Sequence, residues 1–310
     1  MTIDMIPYLD GAAVAEATPF PALIAALRAT FAARSYHAPE RLNTDMDGAS
    51  LLLMPAWRDD EAGGVKIVTV DPRRRPSIRS TYVLADTMGG PPIAILDGTM
   101  LTRRRTAAAS ALAASFLARP DSRTLLLIGT GALIQPLVEA YGCSFALDRI
   151  LIWGRDPDKV AAAVEANRPS GYPVEACADL DAAIAIADIV STATLATSPL
   201  IRGAALRPGM HVDLIGAFRP DMCEADGACF TRARTFVDTM DGALSEAGDL
   251  IQAIAAGDIS VDAIEGDLAA LCTGTHRGRD GDEGAITLFK SVGTGIEDLA
   301  AARLALGLDA

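Results

Sequence analysis

Residues 124–134 read Thr124-Leu125-Leu126-Leu127-Ile128-Gly129-Thr130-Gly131-Ala132-Leu133-Ile134. Four apolar residues, Leu125–Ile128, run straight into Gly129-Thr130-Gly131. A short apolar run ending on glycines predicts a parallel strand, buried on both faces, that turns sharply into a helix. Backbone N–H groups at such a turn, backed by the helix dipole, hold a pyrophosphate. Glycine serves any tight turn equally well. The stretch alone leaves both readings open, and its surroundings must decide between them.

Downstream, the pattern alternates. Apolar runs at Leu125–Ile128, Ile150–Trp153, Ile189–Thr192, His211–Ile215 and Thr235–Val237 are separated by helical stretches near 132–141, 157–166 and 179–187. Strand–helix alternation of this kind predicts a parallel sheet covered on both faces, a Rossmann-type domain. Upstream the pattern differs. Phe20, Leu23, Ile24, Leu27 and Phe31 mark an amphipathic helix, with Pro19 or Pro21 in its first turn. β-like runs follow at Ser50–Met54, Val65–Val70, Ile78–Ala85 and Ile93–Leu96, punctuated by Ala62-Gly63-Gly64 and Met88-Gly89-Gly90-Pro91-Pro92. They predict an antiparallel meander, then an alanine-rich helix from about Gly98 to Ala118, stopped by Pro120. The class expected is α/β. An α+β domain over residues 1–118, completed by about 288–310, precedes a Rossmann domain over 119–287.

Composition narrows the partners. A net charge of −13 argues against nucleic acid or an anionic membrane. The alanine-rich stretch Thr106–Ala118 is too short to span a bilayer, and Met1–Asp10 lacks the basic and apolar regions of a signal peptide. Five cysteines with no Cys-x-x-Cys pair, and three scattered histidines, predict neither a disulfide framework nor a metal site. A reducing, cytoplasmic home is expected.

Several cations stand in unusual places. Arg41 follows Pro39; Lys66 interrupts the apolar strand Gly64-Val65-Lys66-Ile67-Val68; Arg103-Arg104-Arg105 open the long helix. Lys66 is either a snorkelling surface lysine or a cation pointing into a cleft. Arginine suits a carboxylate or phosphate because its planar fork pairs bidentately. Arg73-Arg74-Arg75, set between prolines, reads as an exposed loop. At the end of the second strand, where an acid about 20 residues past the glycines marks NAD, stand Gly154 and Arg155. Arg155 is either an ordinary surface residue or a partner for a 2′-phosphate, which favours NADPH and leaves NADH open.

Together these pieces resemble the ornithine cyclodeaminase/μ-crystallin family over nearly the whole chain. The motifs that carry the resemblance are Arg41, Met54-Pro55-Ala56 and Lys66; then Asp97, Leu101-Thr102 and Arg105-Thr106-Ala107-Ala108; then Gly129-Thr130-Gly131, Glu246-Ala247-Gly248-Asp249-Leu250 and Ile286-Thr287-Leu288-Phe289-Lys290-Ser291-Val292-Gly293. The resemblance implies a homodimer whose first domain binds substrate and mediates dimerisation. It implies that Arg41, Lys66 and Arg105 surround a substrate carboxylate, with Gly293 beside the substrate. It implies that Thr81, Arg105, Thr130, Ala132, Leu133, Gly154, Arg155, Thr192 and Val292 line the cofactor.

The chain departs from the cyclodeaminase pattern at two places. Phe218, in Gly216-Ala217-Phe218-Arg219-Pro220-Asp221-Met222-Cys223-Glu224, occupies the place of an aspartate that handles protons on the substrate amine, and a phenyl ring exchanges none. Leu52 occupies an acidic position two before Met54. Asp221 is a substitute acid only if it reaches the site from a new position. The Gly-Ala-Phe-x-Pro-x-Met variant is similar to the family's Δ1-pyrroline-2-carboxylate reductases. The activity expected is NAD(P)H-dependent reduction of Δ1-pyrroline-2-carboxylate to L-proline, and also of Δ1-piperideine-2-carboxylate to L-pipecolate. Lys66 is the expected catalytic group, as proton donor or by orienting a water, unless the imine binds already protonated. The rival readings are ornithine cyclodeaminase and a non-catalytic NADPH-binding crystallin-like protein.

Overall fold

The computed structural model describes residues 5–33, 35–59, 62–71, 73–74, 78–87 and 90–308. Met1 to Asp4 of the N-terminal reading, Arg75 of the arginine loop and Met88-Gly89 of the glycine–proline cluster lie outside them. The chain divides into two compact units, Met1–Thr106 with Thr294–Ala310, and Ala107–Gly293.

The first unit is built on an antiparallel sheet. Its strands run, in spatial order, Tyr8–Leu9, Pro92–Asp97, Ile78–Asp86, Ala62–Val70, Ser50–Arg58 and Tyr36–His37, and Leu42–Asp45 also pairs with Ser50–Arg58. Only Tyr8–Leu9 joins its neighbour in parallel. Side chains alternate across such a sheet, and one row decides the site. Met54 stands opposite Lys66, Lys66 opposite Tyr82, and Tyr82 opposite Leu96. All four are buried. The helices Phe20–Ala32 and Gly295–Ala305 pack on one another, and Gly295–Ala305 lies against the three central strands. A Cβ on Gly295 would stand 2.8 Å from the Pro55 carbonyl oxygen. Glycine there lets the helix start against the sheet.

The second unit holds an eight-stranded, all-parallel sheet in the order Val174–Ala176, Arg149–Trp153, Thr124–Ile128, Ile189–Thr192, His211–Leu214, Thr287–Lys290, Arg234–Val237, Ile264–Asp267. Every strand of the expected alternation is present, and Leu125–Ile128 is fully buried. The order reverses between Thr124–Ile128 and Ile189–Thr192, which is where open parallel sheets bind ligands.

Two expectations about division change. The sequence groups residues from about 288 with the first domain, but Thr287–Lys290 pairs with His211–Leu214 and Arg234–Val237 inside the parallel sheet. The first unit therefore takes back the chain only at Thr294. The cause is local: all four residues of that strand are buried, so a lone terminal strand needs a partner on each side. The long helix Gly98–Leu117, expected to belong to the first domain, crosses the division between Thr106 and Ala107. Among the described residues no single helix is long and apolar enough to cross a membrane.

Candidate active site

In the first unit the structure brings Lys66 and Arg105 together. Lys66 is 2% exposed and Arg105 5%, so neither snorkels to water. Each is tied to carboxylates. Lys66 Nζ lies 2.7 Å from Asp298 Oδ2. Arg105 Nε donates to Asp298 Oδ1 at 3.0 Å, and its Nη1 donates to Glu297 Oε2 at 2.6 Å. Burial is the largest influence on Lys66 and lowers its pKa; Asp298 opposes it, Arg105 and Arg41 reinforce it, and the result is about 8. Burial also acts to lower the pKa of Arg105, but Asp298 and Glu297 outweigh it and hold it above its ordinary value. Arg41, half-buried just before Leu42–Asp45, is close enough to act on Lys66 through its charge.

The clamp differs from the one expected. Lys66 and Arg105 are held by two buried carboxylates, Glu297 and Asp298. Glu297 and Asp298 escape sequence reading because two acids after the N-cap Thr294 look like ordinary complements of a helix dipole. The other arginines have separate work. Arg104 donates to the Thr18 carbonyl at 2.9 and 2.7 Å and lies over the Phe20 ring, which fastens the end of one helix and the start of the next. Arg73 and Arg74 are exposed and pair with Asp71, as a loop position predicts. Thr81, assigned to the cofactor, points to the opposite face of the sheet from Lys66 and is exposed.

In the second unit the turn after Thr124–Ile128 carries the features of a dinucleotide seat. Gly129 has φ +134°, and a Cβ on it would stand 2.8 Å from the Ala193 carbonyl oxygen. Its N–H donates to the Trp153 carbonyl. A Cβ on Gly131 would meet nothing within 4 Å, and Gly131 and Ala132 are exposed. Gly131 is thus small beside open space, as a backbone approaching a ligand requires. The helix starts only at Ile134, its N-cap Leu133 supplies no side-chain bond, and Pro136 falls in the first turn. Thr130 packs on Gly154, where a Cβ would stand 2.7 Å from its Cγ2. Arg155 follows, exposed, while Asp156 caps the next helix through Asp158 and Lys159 N–H. Thr192 ends the neighbouring strand. Val292 and Gly293 follow Thr287–Lys290, and both their N–H groups donate to Asp238 Oδ2, at 2.8 and 2.6 Å. These residues line the carboxyl edge of one sheet and fit a dinucleotide. Sequence reading did not single out Asp238, although it follows Arg234–Val237 at that same edge.

The Phe218 loop sits at this edge too. Glu224, fully buried, accepts from Gly216 N–H, Thr194 N–H and Thr194 Oγ1–H, each at 2.7 Å. It stitches the loop to the end of the neighbouring strand. Phe218 is half-buried on the core. Asp221 is exposed and paired with Arg219 at 3.0 Å, which engages the one acid considered as a substitute.

Residues 11–306 match the model of the ornithine cyclodeaminase/mu-crystallin family. The chain belongs to that family. Within it, the chain is 40% identical over 256 residues to a Δ1-pyrroline-2-carboxylate reductase of Paracoccus denitrificans, covering 81% of this chain and 80% of that protein. It is 32% identical over 235 residues to the ketimine reductase mu-crystallin of Rattus norvegicus, covering 74% and 69%. The Thermococcus litoralis Δ1-pyrroline-2-carboxylate reductase, solved in complex with NADH and L-proline, superposes with a TM-score of 0.92 at 28% identity and covers 97% of both chains.

Proposed function

We propose that this chain is an NAD(P)H-dependent reductase of cyclic imino acids, converting Δ1-pyrroline-2-carboxylate to L-proline and accepting the six-membered Δ1-piperideine-2-carboxylate. The observation that carries the reading is Phe218. It stands where a cyclodeaminase needs a proton-handling acid, and the nearest substitute, Asp221, pairs with Arg219 instead. Leu52, on the sheet face of Met54 and Lys66, adds an apolar wall. The similarity to reductases of this activity supports the same reading.

The residues divide the work. Arg41, Lys66 and Arg105 bind the substrate carboxylate, the two arginines through their planar guanidinium forks. Thr130, Ala132, Leu133, Gly154, Arg155, Thr192 and Val292 hold the cofactor. When bound, the nicotinamide supplies the hydride for C2 of the C=N bond. Lys66 holds the proton that the ring nitrogen takes. At a pKa of about 8 it is mostly charged at neutral pH and still a competent acid. Phe218 offers no proton of its own. The exposed guanidinium of Arg155 supports NADPH over NADH. The homodimer reading is supported by the outer face of the first sheet, where Leu53, Val65, Ile67, Val83 and Ile95 are all half-exposed; a monomer of 32.2 kDa in sedimentation at micromolar concentration would overturn it. Five cysteines with no Cys-x-x-Cys pair support a reducing, cytoplasmic compartment, which cell fractionation tests.

One assay tests the activity: the absorbance of NADPH and NADH is followed with Δ1-pyrroline-2-carboxylate, with ornithine in parallel. The expected result is rapid oxidation with the imine, faster for NADPH at limiting cofactor. Ammonia released from ornithine would indicate the cyclodeaminase, and tight cofactor binding without oxidation a crystallin-like protein.

A further inference from the structure

We propose that Asp298 is a positioning residue for imine reduction, holding Lys66 charged and aimed so that its Nζ delivers the proton to the ring nitrogen. The proposal rests on the reductase reading above and adds a residue that contacts no substrate in that reading. Its basis is geometric. Asp298 is fully buried and divides its two oxygens between two cations, Oδ2 to Lys66 at 2.7 Å and Oδ1 to Arg105 Nε at 3.0 Å. Glu297, one residue earlier, takes the other end of the same guanidinium at 2.6 Å. Arg105 is thus neutralised from two sides, and Asp298 is left as the carboxylate paired with Lys66.

Every element around Lys66 contributes a group. The helix Gly98–Leu117 presents Arg105, and Gly295–Ala305 presents Glu297 and Asp298. The strand Ile78–Asp86 presents Tyr82, whose buried hydroxyl has no hydrogen-bond partner among the described residues. The segment before Leu42–Asp45 contributes Arg41, and Ser50–Arg58 contributes only the uncharged Met54. Of these, Asp298 favours the ammonium, while burial, Arg105 and Arg41 all disfavour it. Without Asp298 the lysine would release its proton before the substrate needed it. In the step itself, hydride adds to C2, the C=N π pair moves to nitrogen, and nitrogen takes a proton from Lys66 Nζ. The lysine is left neutral beside Asp298 and is recharged from water.

The chain has only three lysines, Lys66, Lys159 and Lys290. Nuclear magnetic resonance of protein labelled at the lysine 13Cε position therefore follows Lys66 directly, with Lys66→Arg assigning its signal. The expected midpoint is near 8 in the wild type and about one pH unit or more lower in Asp298→Asn. Glu297→Gln, which removes the same charge from the same helix turn, is expected to shift it less. The alkaline limb of kcat/KM for the imino acid should move with the Lys66 midpoint, while KM for NADPH holds. A folded Asp298→Asn protein with an unmoved Lys66 midpoint overturns the proposal. So does an alkaline limb that ignores the midpoint. A shifted midpoint in a protein that never reduces the imine overturns the reductase reading instead. If Asp298→Asn does not fold, Asp298→Glu keeps the buried charge but cannot reproduce the 2.7 Å pair. Its kcat for imine reduction should fall about tenfold with KM for NADPH unchanged, and an unchanged kcat overturns the proposal.

Discussion

Arg41 differs from Lys66 and Arg105 in being half-buried rather than buried, and its charge acts on Lys66. Truncating it should leave the Lys66–Asp298 and Arg105–Asp298 pairs in place, because those bonds do not involve it. Losing a hydrogen bond to a charged group costs about 1.5–3 kcal/mol. Arg41→Ala is therefore expected to raise KM for the imino acid about 30-fold with little change in kcat, measured by steady-state kinetics at saturating NADPH. An unchanged KM removes Arg41 from the site. The sequence showed that Lys66 was out of pattern for its strand, since a cation inside an apolar run needs a reason. It did not show which reason. That depended on Glu297 and Asp298, which lie more than 230 residues further on and face Lys66 only because the terminal helix returns to this sheet.

At the scale of one turn, Gly129 and Gly131 do different jobs. Gly129 is required by the fold, through its φ of +134° and the 2.8 Å approach of the Ala193 oxygen. Gly131 has open space where its Cβ would be, so only a ligand demands a glycine there. Gly129→Ala should lower unfolding stability by about 1–3 kcal/mol, the usual cost of holding a residue in a disfavoured backbone region. Gly131→Ala should unfold like the wild type in thermal denaturation yet bind NADPH about tenfold more weakly in a fluorescence titration. Equal NADPH affinities for Gly131→Ala and wild type would remove the turn from the cofactor site. The same turn shows what a sequence reveals about an element. Ile134 stands where such a turn usually has a third small residue and Pro136 falls in the first helical turn, and the helix begins at Ile134 rather than near 132. Short strands such as Val174–Ala176 and Ile264–Asp267 were not foreseen, because three or four residues at a sheet edge carry no period to read.

Across the whole second unit, the alternation of strands and helices was legible, because a parallel strand buried on both faces must be apolar throughout. The polar groups inside it were not, since each depends on partners distant in sequence, and two of them set how stability responds to pH. His211 and Asp213 are fully buried on one strand. Asp213 Oδ2 accepts from Tyr141 Oη at 3.0 Å and Ser191 Oγ at 2.5 Å, and burial pushes its pKa up to about 6. Burial, reinforced by the charge of Arg279, lowers His211 to about 3. In an unfolded chain these groups titrate near 3.9 and 6.5. Between about pH 4 and 6 the folded state holds one proton more at Asp213 and one fewer at His211. The Asp213 contribution to stability is therefore present at low pH and lost as pH rises through 6. The His211 contribution is present at neutral pH and lost as pH falls towards 3. Each slope is about 1.4 kcal/mol per pH unit, and they oppose each other in the shared window. Asp213→Asn removes one and exposes the other. Relative to the wild type, its unfolding free energy in urea should rise by about 1.4 kcal/mol per pH unit between pH 4 and 6 and level off above. A difference independent of pH across that window would mean that Asp213 titrates as freely in the folded protein as in the unfolded chain.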